Sequence, residues 1–110
     1  MELIRLNLTG ANLDDIDLRN ARLDGLNLRG ATLRRAHLAN TSLADADLTR
    51  AQLTGANLTG ANLTGANLSD ATLSDADLTH AQLIEANLSD ADLTRAQLTG
   101  ANLTGADLSL

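Results

Sequence analysis

Residues 56–70 read ANLTG ANLTG ANLSD, three five-residue units that each begin with alanine and carry leucine third. Outward from this stretch, leucine recurs at every fifth position from Leu3 to Leu108, 22 times without a gap. Alanine stands two residues before the leucine in 17 of these 22 units. The repeat unit is therefore Ala-x-Leu-x-x, and its continuity predicts a single domain over residues 1–110.

A period of five fits neither a straight helix nor a straight strand. On an α-helix, at about 100° per residue, each leucine lies about 140° from the previous one, so no apolar stripe forms. On a strand, residues five apart point to opposite faces. The pattern fits a strand of about three residues with alanine and leucine both inward, followed by a two-residue corner. A chain of such units forms a solenoid.

The fifth position of the unit is the predicted corner. Glycine, asparagine or aspartate fills it in 15 of 22 units, and these residues tolerate unusual turn conformations. Arg35, Arg50 and Arg95 occupy the same position. We therefore expect that a positive φ is not obligatory at the corner.

The charges indicate how many sides make one coil, because residues one coil apart stack at about 4.8 Å and like charges repel there. Three, four and five sides predict spacings of 15, 20 and 25 residues. Spacing 15 gives one opposite pair and seven like pairs, spacing 20 gives five and one, and spacing 25 gives three and one. Four sides are favoured, and five sides stay open. The opposite pairs at spacing 20 are Glu2 with Arg22, Asp14 with Arg34, Asp15 with Arg35, Arg50 with Asp70, and Asp75 with Arg95.

The tandem ANLTG, ADLTR and ANLSD units resemble the pentapeptide-repeat family, whose motif is Ala-(Asp/Asn)-Leu-x-x, over the whole chain. The resemblance implies an all-β fold, a right-handed quadrilateral parallel β-helix (a β-solenoid) with about 20 residues per coil. This agrees with the four sides derived from the charges, whereas the handedness comes from the resemblance alone. The 22 units then make about 5.5 coils, about 26 Å tall at about 4.8 Å per coil.

The predicted core is a column of leucine layers with alanine beside them. In the first coil, Met1, Leu6 and Ile16 replace the small alanine, and we expect them to form a partial N-terminal plug. The core-forming residues singled out are Leu13, Leu33, Leu53, Leu63, Leu73, Leu93, Ala51, Ala61 and Ala71.

The last coil keeps alanine in every repeat and has no helix, aromatic lid or charged cap. An exposed core and unpaired strand edges are expected to make this end apolar and adhesive. Our hypothesis is an end-to-end homodimer through this coil, and the alternative is a truncated chain whose cap has been removed. The interface residues would be Leu93, Leu98, Leu103, Leu108 and Leu110.

Composition argues against an enzyme. The chain has no cysteine, so thiol catalysis and thiolate metal sites are excluded. His37 and His80 are the only histidines, and a filled solenoid without insertions offers them no concave, water-excluding pocket. We expect no catalytic residue, no metal and no cofactor.

Charge and hydropathy narrow the partners further. Residues 19–50 sum to +3 and form the only basic belt, but the chain has no aromatic residue on which bases could stack. No apolar run approaches about 18 residues, and the first ten residues lack a signal-peptide apolar region. We expect a soluble, cytoplasmic protein with no nucleic-acid or membrane partner.

One face of the predicted solenoid carries Asn or Asp before every leucine. A ladder of side-chain hydrogen bonds along the stack is the simplest interpretation, and a polar docking face is the functional alternative. The residues are Asn7, Asn27, Asp47, Asn67, Asn87 and Asp107.

The resemblance also raises DNA mimicry, because some pentapeptide-repeat proteins imitate duplex DNA and bind type II topoisomerases such as DNA gyrase. The acidic face for that role would be Asp47, Asp70, Asp90 and Asp107. DNA carries about one charge per 1.7 Å, whereas a net charge of -6 over about 26 Å is roughly one per 4 Å. This density argues for a weak imitation.

The sequence therefore favours a non-enzymatic structural or protein-interaction module whose protein partner it does not identify. DNA mimicry directed at a gyrase-type topoisomerase is one alternative. A synthetic or idealised repeat without a biological task is another, because residues 53–65 are close to consensus, although residues 1–50 are irregular as in a natural gene.

Overall fold

The computed structural model describes residues 6–110 as a stack of square coils without any helix. Each repeat has one isolated parallel β-bridge, at the residue before leucine, and a turn over the two residues after it. Every bridge joins residues 20 apart, beginning with Asn7 and Asn27. Four repeats thus make one coil, as the charges predicted, and five sides are excluded. We number the faces 1 to 4 from their first described bridge residues, Asn7, Asn12, Asp17 and Arg22.

Backbone hydrogen bonds run mostly along the column axis. In repeat 56–60, the Asn57 N–H donates to the preceding coil at 2.9 Å, and the N–H groups of Leu58 and Gly60 donate to the following coil at 2.7 and 2.9 Å. The next alanine, Ala61, donates to the Leu58 carbonyl at 3.0 Å and closes the turn. Each repeat is therefore fixed to both neighbouring coils and to its successor.

The corner conformation corrects our expectation for Arg35, Arg50 and Arg95. Their φ angles are 57°, 59° and 58°, and every fifth-position residue from Gly10 to Gly105 is positive. A leucine-to-alanine hydrogen bond spanning four residues, with positive φ at the third, is the arrangement of a type II turn. The turn and the bond to the next coil impose this conformation on any residue, at about 1–2 kcal/mol for a side chain with Cβ.

The core is one continuous column of aliphatic side chains. Thr41 replaces alanine and is fully buried, but its Oγ1 donates to the Leu18 carbonyl at 2.8 Å, so its hydroxyl is satisfied. Leu13 and Leu93 are half-buried and pack against the column from its two ends. The other core residues predicted from the sequence are buried: Leu33, Leu53, Leu63, Leu73, Ala51, Ala61 and Ala71.

The N-terminal plug forms only in part. Ile16 is half-buried and packs on the core, whereas Leu6 is 50% exposed. A cavity of about 30 Å³ lies beneath this end, lined by aliphatic side chains from Leu8 to Leu43. The third predicted plug residue, Met1, lies outside the described residues. The column measures 29 × 23 × 22 Å, close to the predicted height.

Replacing Leu63 by aspartate tests the central packing. Leu63 has no exposed surface, so an unpaired carboxylate there should lower the free energy of unfolding by several kcal/mol. Urea titration followed by circular dichroism measures the loss. The matched control is Leu108→Asp, at a site that is 49% exposed, where we expect a far smaller change. Equal stability of Leu63→Asp and the wild type would contradict the inward assignment.

Candidate functional site

Both histidines lie on the surface. His37 is exposed on face 3 between its bridge partners Asp17 and Asn57. His80 is exposed at a corner, and its ring occupies the space where a Cβ on Gly100 would lie. The N-terminal cavity is lined by aliphatic side chains and is far smaller than the roughly 300–1,000 Å³ of ordinary ligand pockets.

Within residues 6–110, no group of three or more histidine, aspartate or glutamate side chains is placed to hold a metal ion. The same residues contain no helix long and apolar enough to cross a membrane.

The Asn and Asp residues before leucine have a local structural role. Asn67 Oδ1 accepts from the Ser69 N–H at 3.0 Å and from the Ser69 hydroxyl at 2.8 Å. This bond uses the N–H of the fourth residue, which donates to no backbone carbonyl among the described residues. The same backbone bond forms at all thirteen repeats that have Asn or Asp in this position, at 3.0–3.2 Å. These are Asx turns.

The predicted ladder on face 1 is therefore wrong. All six of its Asn and Asp oxygens bond to the backbone N–H two residues later in their own repeat. These short side chains bond to the backbone of their own repeat and do not bond to one another along the stack. The alignment of Asn and Asp on this face stabilises turns one by one.

Two aspartates replace missing Asx turns, a role that sequence reasoning did not identify. Repeats 31–35 and 41–45 have Thr32 and Ser42 where Asn or Asp is usual. Asp14 Oδ1 accepts from the Arg34 N–H at 2.9 Å, and Asp24 Oδ1 accepts from the Ala44 N–H at 3.0 Å, in each case from the preceding coil. Asp24 also accepts from the Ser42 hydroxyl. The sequence carries a signal for this role. Asp14 and Asp24 are the only acids at the fourth position of a repeat, and each stands 18 residues before the Thr or Ser that replaces Asx.

Ion pairs confirm most of the predicted stacking. Arg34–Asp14, Arg35–Asp15 and Arg95–Asp75 form at 3.4, 2.9 and 2.7 Å. Among the described residues, Arg50 and Asp70 make no ion pair, and the pair predicted for Glu2 lies outside the described residues. Arg29 instead pairs diagonally with Asp47 at 3.2 Å.

Two of the four carboxylates on the candidate acidic face make local hydrogen bonds or an ion pair. Asp47 is half-buried; its Oδ1 accepts from the N–H and hydroxyl of Thr49, and its Oδ2 pairs with Arg29. Asp107 accepts from the Ser109 N–H at 3.0 Å. Asp70 and Asp90 are exposed corner residues on the same face. The four carboxylates therefore share a face, but two of them are occupied by local hydrogen bonds.

Within residues 6–110, no further coil covers the outer edge of the C-terminal coil, residues 91–110. Leu93, Leu98 and Leu103 are half-buried, Leu108 is 49% exposed and Leu110 is fully exposed. Within residues 6–110, the N–H groups of these leucines have no backbone hydrogen-bond acceptor, unlike those of the coils below. The structure thus brings together the leucines singled out from the sequence around one apolar, hydrogen-bonding edge.

Arginine and hydroxyl partners lower the pKa values of several aspartates. Hydrogen bonds from the Arg19 side chain, at 2.9 and 2.7 Å, lower the pKa of Asp17 to about 2. Side-chain bonds from Arg35 and Arg95 lower the pKa values of Asp15 and Asp75. These carboxylates are ionised in the folded chain well below the pH at which a free aspartate protonates.

Four-sided parallel coils with Ala-x-Leu-x-x repeats define a quadrilateral β-helix. A family model described as pentapeptide repeats (8 copies) matches three ranges of the chain, residues 2–38, 32–70 and 71–109. The chain belongs to the pentapeptide repeat family, and its fold is the right-handed quadrilateral β-helix of that family. No curated protein matches the chain.

Solved structures show the same fold. A pentapeptide repeat protein (Rfr23) from the cyanobacterium Cyanothece 51142 is 36% identical with a TM-score of 0.81, over 83% of this chain and 63% of that one. Another from Nostoc PCC 7120 is 39% identical with a TM-score of 0.51, over 82% and 62%. The chain thus spans less than two thirds of these relatives. QnrB1, a plasmid-mediated fluoroquinolone resistance protein, matches in a trypsin-treated R167E form over 96% of this chain and 61% of that one, at 17% identity and a TM-score of 0.44, too low to argue from.

Replacing Asn67 tests the Asx turn. Asn67→Ala leaves the Ser69 N–H without its acceptor, and we expect a loss of about 1 kcal/mol in the free energy of unfolding. Asn67→Asp keeps the accepting oxygen and should lose less stability than Asn67→Ala in urea titration, the remaining loss being repulsion from Asp47 one coil below. A further control is Gln82→Ala, at an exposed position of the same kind on face 4. Equal losses in Asn67→Ala and Asn67→Asp would contradict the Asx-turn role.

Acid should destabilise the folded chain through the paired aspartates. Their folded pKa values lie below the ordinary 3.8, so below about pH 4 the unfolded chain binds more protons than the folded one. The free energy of unfolding should fall as the pH drops from 4 towards 2. Urea midpoints across this range measure the slope, and Asp17→Asn should flatten it. An unchanged slope in Asp17→Asn would refute the contribution of its ion pair with Arg19.

Proposed function

We propose that the chain is a non-enzymatic protein-interaction module that binds through the open edge of its C-terminal coil. The observation that carries this proposal is the set of unpartnered N–H groups around the exposed leucines of residues 91–110. Its sides, by contrast, are polar and internally hydrogen-bonded. The edge is the part of the described surface best suited to bury apolar area and form backbone bonds at once.

The leucines of the last coil lack a covering coil among the described residues. Leu98 and Leu103 are half-buried although the equivalent leucines one coil below, Leu78 and Leu83, have no exposed surface. Covering the coil removes this apolar area from water, at about 25 cal/mol per Å². A row of unpaired N–H groups is also a template for a further strand. A second copy of the chain is the simplest partner, giving end-to-end association through Leu93, Leu98, Leu103, Leu108 and Leu110.

DNA mimicry receives less support. Asp47 is occupied by Thr49 and Arg29, and Asp107 by Ser109. Asp70, Asp90 and Asp107 are exposed, and of these Asp70 and Asp90 make no side-chain hydrogen bond among the described residues. A spacing of one coil between two charges does not reproduce the charge row of a duplex.

Sedimentation velocity across about 1 μM to about 1 mM protein tests the proposed edge. We expect the mean mass of the wild type to rise with concentration. Leu108→Glu should remain monomeric across the range, because it places a charge in the apolar edge at a site that tolerates it, being 49% exposed in the single chain.

Gln82→Glu is the matched control, since it adds the same charge on an exposed side face, one coil below the edge coil. It should associate as the wild type does. A wild type that stays monomeric at every concentration would overturn self-association through this edge. Association that survives in Leu108→Glu would place the contact elsewhere.

A further inference from the structure

The backbone bonds between coils have a direction. Towards the following coil, each repeat donates two N–H groups, those of the leucine and the corner residue, and accepts with one carbonyl, that of the alanine. In repeat 56–60 these groups belong to Leu58, Gly60 and Ala56. In the C-terminal coil the same groups have no backbone partner within residues 6–110. Its edge therefore presents two donors for each acceptor.

The N-terminal coil, residues 6–25, presents the complementary set. Towards the preceding coil, a repeat directs two carbonyls, of its second and fourth residues, and one N–H, of its second residue. On face 2 these are the carbonyls of Asn12 and Asp14 and the N–H of Asn12, and they have no backbone partner among the described residues. Faces 1 and 3 repeat this arrangement through Asn7 and Asp17. This edge presents two acceptors for each donor.

This polarity decides between the two ways of joining copies end to end. If two C-terminal edges met, each pair of repeats would bring four N–H groups against two carbonyls, leaving buried donors unpaired, which is costly. If a C-terminal edge meets an N-terminal edge, two donors face two carbonyls and one carbonyl faces one N–H. The second arrangement continues the bond pattern of the coils.

We propose that the C-terminal coil of one copy binds the N-terminal coil of a second copy, head to tail. The proposal rests on the proposed function, since it names the partner of the same edge. The apolar surfaces also correspond: Leu6 is half exposed, and Leu8 and Ile16 are half-buried at one end, facing Leu103 and Leu108 at the other. Because this contact joins two different surfaces, it leaves both outer edges free and builds an open series of masses.

Two single-edge variants test the direction. Leu6→Glu charges the N-terminal edge, and Leu108→Glu charges the C-terminal edge; both side chains are about half exposed in the single chain. Each variant alone should be monomeric in sedimentation velocity. Their equimolar mixture should form a species of two chains, because each supplies the intact edge that the other lacks. The wild type and Gln82→Glu should both pass beyond two chains as concentration rises.

The outcomes separate this inference from the proposed function. A wild type that saturates at two chains, with Leu6→Glu still forming them, would mean that C-terminal edges pair with each other and would overturn the head-to-tail arrangement alone. A wild type that never associates would overturn the proposed function as well. Circular dichroism and the thermal midpoint establish that each variant is folded.

A second measurement applies if Leu6→Glu fails to fold. Thr9→Cys and Ser109→Cys introduce single thiols at exposed positions near the two edges of a chain that has no cysteine. A bulky maleimide attached to either thiol of the folded chain should abolish association, and an equimolar mixture of the two labelled chains should form a species of two chains. Labelled Thr9→Cys that still forms two chains would overturn the head-to-tail contact.

Discussion

The axial hydrogen bond between residues one coil apart is the constraint on which the rest of the structure depends. It takes three N–H groups of each repeat between residues 31 and 90 and sets the repeats in register 20 residues apart. To keep that register the chain must turn after each leucine, which fixes a positive φ at every corner from residue 10 to residue 105. Arg50 obeys this requirement without an ion pair to Asp70. Coil register therefore outweighs the local preference of the corner residue.

The same constraint explains the composition of the surface. The N–H of the fourth residue donates to no backbone carbonyl among the described residues, and where Asn or Asp stands before leucine its side-chain oxygen accepts from it. Thr32 and Ser42 show the rule through its exceptions, because Asp14 and Asp24 supply the missing oxygens from the coil below. Carboxylate and amide serve equally as acceptors here. Part of the acidity of the chain thus follows from its turns, which weakens any functional interpretation of the charge.

Periodicity predicted more of the fold than of the surface. The five-residue period correctly predicted that Leu63 and Ala61 lie in the core. The charge pairs Asp15–Arg35 and Asp75–Arg95 correctly indicated four sides per coil. Periodicity states which residues face outward but not where their N–H groups point, so the Asx turns were mistaken for a ladder. Residue preference likewise missed the positive φ of Arg50, because the turn is imposed from outside the repeat. The repeat register alone predicted which leucines line the C-terminal edge. The excess of N–H donors at that edge could not be predicted, because it depends on the direction in which each backbone group points.

Direction along the axis also limits which partners suit the C-terminal coil. Its edge has more donors than acceptors, so a partner must bring oxygen atoms in excess, as carbonyls or as carboxylates. Residues 51–110 carry a net charge of −6, with Arg95 as their only arginine or lysine. A carboxylate-rich partner would meet like charge at close range, where repulsion is weakly screened. Neutral carbonyls are therefore the better acceptors for this edge. A strand edge with two carbonyls for each N–H supplies them, and it presents them at the same spacing as the coils of this column.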